Sequence, residues 1–133
     1  MNLEKVFFAF FIVLALTLNF AFFTGEIDNP AHHHSIELIA AIIINLIATI
    51  LKFGDRSHMG AVLLATSLVA DVQLIIAATV WAVVVFANNQ IMTGDTMAVI
   101  VSLSGGALLA NLVSVTLLVA DTIIDPRESS RTK

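Results

Sequence analysis

The amino-acid sequence predicts an all-α integral membrane protein: four transmembrane helices in an up-down-up-down bundle, with the N and C termini cytoplasmic. Three observations predict this fold. The 133-residue chain is 59% hydrophobic and only 12% charged, which is unusual for a soluble domain. Its apolar residues form four long runs, each close to or above the roughly 20 residues that a helix needs to cross a bilayer. Its basic residues all fall on one side of the resulting topology.

The four runs form one transmembrane domain over residues 1–133, with helices at about residues 6–24, 30–53, 60–87 and 96–124. The first run is too long for the apolar part of a signal peptide, so we expect a retained helix. Asn29 followed by Pro30 is a typical cap and first-turn pair and predicts that the second helix begins there. Short connections make consecutive helices antiparallel neighbours. A short cytoplasmic tail is expected at residues 125–133.

The third run carries a single charged residue, Asp71, near its middle. A central Asp costs about 2.5–3.5 kcal/mol on insertion, whereas each Leu, Ile, Val or Phe returns about 0.3–0.6 kcal/mol. The run contains fourteen of these apolar residues. Their contribution exceeds the cost of the carboxylate, and the run is therefore predicted to span the membrane.

The orientation follows from the distribution of charge. One side of the predicted bundle carries every basic residue, namely Lys5, Lys52, Arg56, Arg127, Arg131 and Lys133. The other side carries only acidic residues, namely Glu26, Asp28, Glu37 and Asp95. By the positive-inside rule, both termini and the loop at residues 54–60 are expected in the cytoplasm.

Three polar side chains are predicted to lie at similar depth in the bundle. Asn45 is midway along helix 2, Asp71 along helix 3 and Asn111 along helix 4. Because an amide can donate to a carboxylate, the two asparagines are candidate partners of Asp71. One interpretation is an ion or proton site, with Asp71 as the cation ligand or titrating group. The other is a structural hydrogen bond between helices.

Helix 4 carries a stripe of small residues at every fourth position: Ala98, Ser102, Gly106, Ala110 and Ser114. This spacing is typical of close helix packing in lipid. The stripe can pack against helix 3 or against a second subunit. A pore-lining role is the less favoured alternative.

Three consecutive histidines, His32, His33 and His34, lie near acidic residues at the predicted outer surface. Imidazole and carboxylate groups can bind Zn²⁺ or Ni²⁺. Consecutive helical residues point in different directions, however, so three neighbours rarely bind one ion. A solvated helix end is therefore favoured over a metal site. Sensing of pH is a further alternative, because histidine titrates near neutral pH.

Several sequence motifs of enzymes and of potassium channels are absent from the chain, which narrows the classes of function. The chain has no cysteine, which rules out disulfides and thiolate chemistry. It also has no phosphate-binding Gly-rich loop, nucleophile elbow or potassium-filter sequence. We therefore expect no enzyme activity and no cofactor, and the lack of a basic domain argues against nucleic-acid binding.

Three segments carry a resemblance to a known family: MNLEK at residues 1–5, LKFGDR followed by GAVLLATSLVAD at 51–56 and 60–71, and GGALLAN at 105–111. Together they resemble an uncharacterised family of small bacterial inner-membrane proteins with four helices. The resemblance extends over nearly the whole chain. It implies the bacterial inner (cytoplasmic) membrane and an association with potassium channels, but it brings no known activity or site residues.

The function predicted from these observations is participation in an oligomeric ion-transport assembly, centred on Asp71 in the membrane. The protein would form a cation or proton conduit from several copies, or serve as an auxiliary subunit of a cation channel. Its expected partners are membrane lipid and either further copies of itself or a larger channel or transporter. The alternative is a structural or assembly protein without transport activity, in which Asp71 only holds helices together.

Overall fold

The structure, a computed structural model, describes residues 3–124. Within this range the chain forms four α-helices: α1 at Leu3–Phe23, α2 at Ser35–Lys52, α3 at His58–Ala82 and α4 at Gly94–Ile124. A π-helical turn at Val83–Ala87 extends α3, and a short 3₁₀ turn at Pro30–His32 precedes α2. The tail predicted at residues 125–133 lies outside the described residues.

All four helices are long and apolar enough to cross a membrane. Their most apolar stretches have mean hydropathies between 2.0 and 2.5. With the π-helical turn, α3 has 30 residues and α4 has 31, which gives each a length of roughly 45 Å. The 18 residues of α2 give it only about 27 Å. The chain is a multi-pass membrane protein, as its composition predicted.

Each helix packs against two neighbours, so α1 and α3 each contact both α2 and α4. Lys5, at the start of α1, pairs with Asp121 near the end of α4 at 3.2 Å, which makes these two helices antiparallel. We call one end of the bundle the basic end; it comprises the start of α1, the loop at residues 53–57 and the end of α4. The opposite, acidic end comprises the loops at residues 24–34 and 88–93.

Two apolar clusters fill the bundle. The acidic-end cluster consists of Phe22, Leu38, Ala41, Ala70, Leu74, Ala77, Met97, Ile100, Val101 and Ala107. The smaller basic-end cluster consists of Phe8, Ile12, Ala48, Leu63 and Leu118. All four helices contribute to both clusters, so the interior is divided along its length and not between pairs of helices.

The start of α2 differs from the prediction. Asn29 does cap a turn, since its Oδ1 accepts a hydrogen bond from the Ala31 amide at 3.0 Å, but the turn is 3₁₀-helical and ends at His32. The backbone is extended at His33 and His34. The buried His33 ring contacts a carbonyl of the last turn of α1, and the extended segment that places it there prevents one continuous helix. As a result, α2 begins at Ser35.

Candidate functional site

Asp71 is buried in the bundle, with 5% of its surface exposed. Its Oδ2 accepts a hydrogen bond from the Thr49 hydroxyl of α2 at 2.5 Å. The same hydroxyl lies 3.0 Å from the backbone carbonyl of Asn45, so two acceptors compete for one hydrogen. The other carboxyl oxygen, Oδ1, is buried and has no hydrogen-bond partner among the described residues. One oxygen is therefore anchored between helices and the other is available to a proton or a cation.

The hydrogen bond to Asp71 comes from Thr49 and not from the two predicted amides, which corrects the expected pairing. Asn45 and Asn111 are both fully buried. Neither side-chain amide has a hydrogen-bond partner within residues 3–124. Asn45 lies one helical turn from Thr49, toward the acidic end, so the shorter threonine side chain is the one that meets α3 at Asp71.

The register between α3 and α4 places Asn111 near the level of Asp71. Thr66 and Ser114 share a hydrogen bond between their hydroxyls at 2.5 Å. About two turns farther along, Gln73 lies directly against Gly106. Asp71 and Asn111 each lie between these two contacts on their own helix. In an antiparallel pair their levels therefore differ by no more than about one turn, or roughly 5 Å.

Asn19 of α1 lies at nearly the same level. On one side of it, the Phe23 ring packs against Gly105, and on the other the start of α1 reaches Asp121 near the end of α4. Interpolating between these contacts places Asn19 within a turn of Asn111. It is fully buried, and both of its amide atoms are unpartnered among the described residues.

These side chains form a polar layer where the two apolar clusters meet; we define it as Asn19, Asn45, Ser67, Asp71 and Asn111. Every helix contributes at least one member. Each member has at least one buried side-chain atom without a hydrogen-bond partner in the described chain. Buried polar groups are normally bonded, because leaving them unpaired costs free energy. A layer of carboxylate, amide and hydroxyl oxygens is chemically suited to a cation or a proton with its hydration.

A buried ion pair lies between this layer and the basic end. Lys52 Nζ is 3.2 Å from Asp55 Oδ2, and each side chain is only 6% exposed. The ammonium also lies 4.5 Å from the centroid of the Phe8 ring, a favourable cation–π geometry. Asp55 Oδ1 accepts hydrogen bonds from the Ser57 amide at 2.9 Å and the Ser57 hydroxyl at 2.7 Å. The charged pair is thus fixed on both sides.

Burial raises the pKa of the Asp55 carboxyl, but the hydrogen bonds from Ser57 and Lys52 and the charge of Lys52 outweigh it. The net pKa lies below its usual range, so Asp55 is ionised at neutral pH. Gly60 makes this position possible, because a Cβ there would overlap the carboxylate of Asp55.

The small-residue stripe of α4 packs within the molecule at two of its residues, Gly106 and Ser114. A Cβ at Gly106 would overlap the carboxamide of Gln73 on α3, and one at the neighbouring Gly105 would press on the Phe23 ring of α1. Ser114 bonds to α3, as described above. Toward the acidic end, part of the stripe lies at the surface, in a cavity lined by Gln73, Ala98, Val99, Ser102 and Leu103.

Two of the three histidines, His32 and His33, contact the backbone of Glu26. The ring nitrogens of His33 lie 2.5 Å from the Phe22 carbonyl and 2.8 Å from the Glu26 carbonyl. His32 Nδ1 accepts a hydrogen bond from the Glu26 amide at 2.9 Å, and His34 precedes the first turn of α2. Within residues 3–124, no three His, Cys, Asp or Glu side chains are grouped closely enough to hold a metal ion. His32 and His33 fold the acidic-end loop onto α1.

The site predicted from the sequence did not include Thr49, Ser67 or Asn19. The pairing of Lys52 with Asp55 was not predicted either. One signal was present in the sequence. Asn45, Thr49 and Lys52 follow one another at spacings of four and three residues, which places them on one face of a helix. The structure buries all three, and α2 therefore carries a polar stripe in the bundle interior.

Comparison with known proteins gives a family and no activity. No curated protein and no solved structure matches the chain. A family model described as a family of unknown function, DUF6394, matches residues 32–122. The match covers α2, α3 and most of α4, and with them Thr49, Asp71 and the Lys52–Asp55 pair. Since it extends over well more than half of the sequence, the chain belongs to the DUF6394 family.

Proposed function

We propose that this protein binds a proton or a monovalent cation at Asp71 and that it works within an ion-transport assembly of the bacterial inner membrane. The observation that carries the proposal is the half-satisfied carboxyl group: Thr49 holds Oδ2, while the buried Oδ1 has no partner among the described residues. Ionisable groups inside membrane-spanning segments are rare, and they mark ion pathways and proton relays in many transporters and pumps.

The surrounding layer supports the same function. The oxygens of Asn45 and Asn111 lie at or near the level of Asp71, and carbonyl-type oxygens can replace part of the hydration shell of a monovalent cation. The amide N–H groups of the same side chains can instead donate to an ionised carboxylate. The layer therefore accommodates Asp71 with a bound cation and Asp71 with a proton.

A single copy is not expected to conduct across the whole membrane. The acidic-end cluster, with residues such as Phe22, Leu74 and Ile100, fills the interior between Asp71 and the acidic end. Transport therefore requires a second copy or a larger channel subunit, so the assembly is either a homo-oligomer or a complex in which this chain is auxiliary. The positive-inside rule puts the basic end in the cytoplasm in both arrangements.

The second candidate function is structural. The Thr49–Asp71 hydrogen bond joins α2 to α3 in the membrane interior, where side-chain hydrogen bonds stabilise helix packing by about 0.6 kcal/mol on average and at most about 1.7 kcal/mol. In this case the chain would be an assembly factor with no transport activity of its own.

The substitution Asp71→Asn separates the two functions, because it keeps the shape and hydrogen bonding of the side chain and removes its titration. Asp95→Asn is the matched control, since Asp95 is exposed in the first turn of α4. The measurement is proton, K⁺ and Na⁺ flux in proteoliposomes containing the assembly extracted from the source membrane. Asp71→Asn should change flux or its pH dependence, whereas Asp95→Asn should not. Unchanged flux in both variants would exclude the ion site.

Native mass spectrometry of the same extract tests the assembly itself. One defined homo-oligomer would support a self-sufficient conduit, and co-extraction with a larger channel would support an auxiliary subunit. The substitution Asp71→Leu provides the structural comparison, because it removes the bond to Thr49 altogether. Loss of the assembly in Asp71→Leu, with full flux in Asp71→Asn, would support the structural function.

A further inference from the structure

We infer that Asp71 exchanges its proton or cation with the solution at the basic end only, along the polar stripe of α2 and past the Lys52–Asp55 pair. This inference rests on the proposed function of Asp71 and adds the side and the route of access. The first observation in its favour is that α2 and α3 extend to different distances beyond the contact between Thr49 and Asp71. Thr49, which bonds Asp71, lies in the last turn of α2, whereas Asp71 is near the middle of α3.

Because of this register, α2 ends before the other three helices do on the side of the basic end. Beyond Asp71, α3 continues for thirteen residues toward the basic end, or about 20 Å. Beyond Thr49, α2 continues only to Lys52, or about 5 Å. The loop at residues 53–57 covers the remaining part of this side of the bundle. On this side of the bundle, a loop lies between the layer and the solution at the basic end. Toward the acidic end, α2 continues as a helix on the same side.

The second support is a sequence of polar groups along this direction. Asn45, Thr49 and Lys52 lie on one buried face of α2, at successive turns. The Lys52 ammonium then reaches Asp55 in the loop, and Asp55 in turn bonds Ser57 at the start of α3. Each group lies within about one helical turn of the next along α2. Polar side chains thus follow one another from the layer to the loop at residues 53–57.

The third support is the closure of the opposite side. Between the layer and the acidic end, the described interior is the acidic-end cluster, whose members are at most 2% exposed. The buried hydroxyl in this half, Ser104, is already bonded to the Val101 carbonyl at 2.8 Å. The His33 ring lies over the end of α1 against the Phe22 carbonyl. On this side Gln73 also has a buried Oε1 without a hydrogen-bond partner among the described residues. Beyond Gln73 and Ser104, a charge moving in this direction would meet the apolar cluster, which is costly in a low-dielectric interior.

The Lys52–Asp55 pair occupies the point where the route reaches the loop. Its two side chains are almost fully buried, so solvent passes only when the pair separates or shifts. Among the described residues at this end, Lys5 is paired with Asp121 between α1 and α4, and Arg56 is exposed. The Lys52–Asp55 pair therefore acts as the gate of the route.

Cysteine accessibility tests the route directly, because the natural chain has no cysteine and single-cysteine variants need no further changes. Ser67→Cys places a thiol in the polar layer. Ala77→Cys is the matched control, since Ala77 is an equally buried small residue on α3 but lies in the acidic-end cluster. Gly54→Cys and Asn88→Cys, in the two loops, report which face a membrane-impermeant thiol reagent reaches in sealed vesicles.

We expect Ser67→Cys to react from the same face as Gly54→Cys and not from the face of Asn88→Cys, while Ala77→Cys reacts from neither. Adding Asp55→Asn should accelerate the reaction of Ser67→Cys severalfold, because a neutral partner holds Lys52 less tightly. Should that variant fold poorly, Ser57→Ala loosens Asp55 without removing either charge. It should also accelerate the reaction of Ser67→Cys, but by less.

Reaction of Ser67→Cys from the Asn88 face, from both faces or from neither would overturn the route, and an unchanged rate with a loosened pair would overturn the gate. The assay measures access and not transport. One-sided labelling together with normal flux in Asp71→Asn would refute the proposed function of Asp71 and leave the route standing.

Discussion

The two halves of the bundle bury different kinds of side chain. Between the polar layer and the acidic end, four helices enclose a continuous apolar cluster that includes Phe22, Leu74 and Met97. Toward the basic end the apolar cluster is half as large, and the interior also contains the Lys52–Asp55 pair and the Thr66–Ser114 hydrogen bond. Packing of apolar side chains stabilises the acidic half. In the basic half, polar contacts contribute to stability alongside the smaller apolar cluster.

The length of α2 explains the difference. This helix is 18 residues long, and α4 is 31. Since α2 ends one turn beyond Thr49, the basic half has three helices and a loop around its interior. A loop cannot supply a continuous apolar face, because its backbone groups need partners. Hydrogen bonds and an ion pair replace that face, and they bring polar atoms within reach of Asp71.

The largest expected effect is on the ion pair of the basic half. Asp55→Leu leaves the Lys52 ammonium buried without its partner, which should lower the free energy of unfolding by about 3–5 kcal/mol. The double variant Lys52→Met with Asp55→Leu removes both charges and should recover most of that loss. Denaturation in mixed detergent micelles measures both. A single variant as stable as the double would mean that Lys52 reaches solvent and that the pair is not a closed gate.

A somewhat smaller effect is expected in the apolar half. Phe22→Ala removes a fully buried ring from the acidic-end cluster and should cost about 3 kcal/mol, the low end of the range for buried Phe→Ala changes, because lipid solvates apolar groups as well as the core does. Phe10→Ala is the control, as Phe10 is 60% exposed on the outside of the same helix. Equal losses in the two variants would contradict a tightly packed acidic half.

The hydrogen bond between Thr49 and Asp71 lies at the boundary of the two halves. It should contribute less to the free energy of unfolding than the apolar packing does. Thr49→Val keeps the side-chain shape and removes the donor to Asp71, so the loss of unfolding free energy should be about 0.6–1.7 kcal/mol. Thr116→Val is the matched control, because the exposed Thr116 donates a hydrogen bond to the Leu112 carbonyl of its own helix. If both variants lost the same stability, the bond between Thr49 and Asp71 would have no role in joining α2 to α3.

The smallest expected effect is a dependence of stability on acid pH. The folded pKa of Asp55 lies below its ordinary value of 3.8, so the unfolded chain binds more protons and stability rises with pH in this range. The contribution of Asp55 is complete above about pH 5 and is lost as the pH falls through the lowered folded pKa. Unfolding measured between pH 6 and the acid limit should show this loss, and Asp55→Asn should abolish the part due to this group. Identical pH profiles would contradict the hydrogen bonding described for Asp55.

Local composition was enough to predict the helices, their antiparallel order and the central carboxylate. Runs of apolar residues long enough to span a bilayer are read directly from the sequence, and Asp71 stands out as the only charge in its run. The start of α2 was not predictable in this way, because the ring of His33 contacts carbonyl groups of a different segment. A local cap signal at Asn29 was present, but it served a separate turn.

The partner of Asp71 was missed for a different reason. Counting residues from the ends of each helix puts the midpoints of α2 and α3 side by side, and so favours Asn45. The structure instead places the last turn of α2 against the middle of α3, because the loop at residues 53–57 and the position of Asp55 against Gly60 set the offset. Threonine also gives a weak signal in sequence, since it bonds its own helix as readily as a neighbour.

The proposed function requires that the Asp71 carboxyl group binds and releases a proton or a cation inside the bundle. Infrared difference spectroscopy of the reconstituted protein tests it most directly, by comparing the carboxyl bands of the natural chain and of Asp71→Asn while the pH or the K⁺ and Na⁺ concentration is changed. We expect a carbonyl band of a buried carboxylic acid that changes with pH or cation and is missing in Asp71→Asn. Identical difference spectra for the two proteins, under every pH and cation tested, would contradict it.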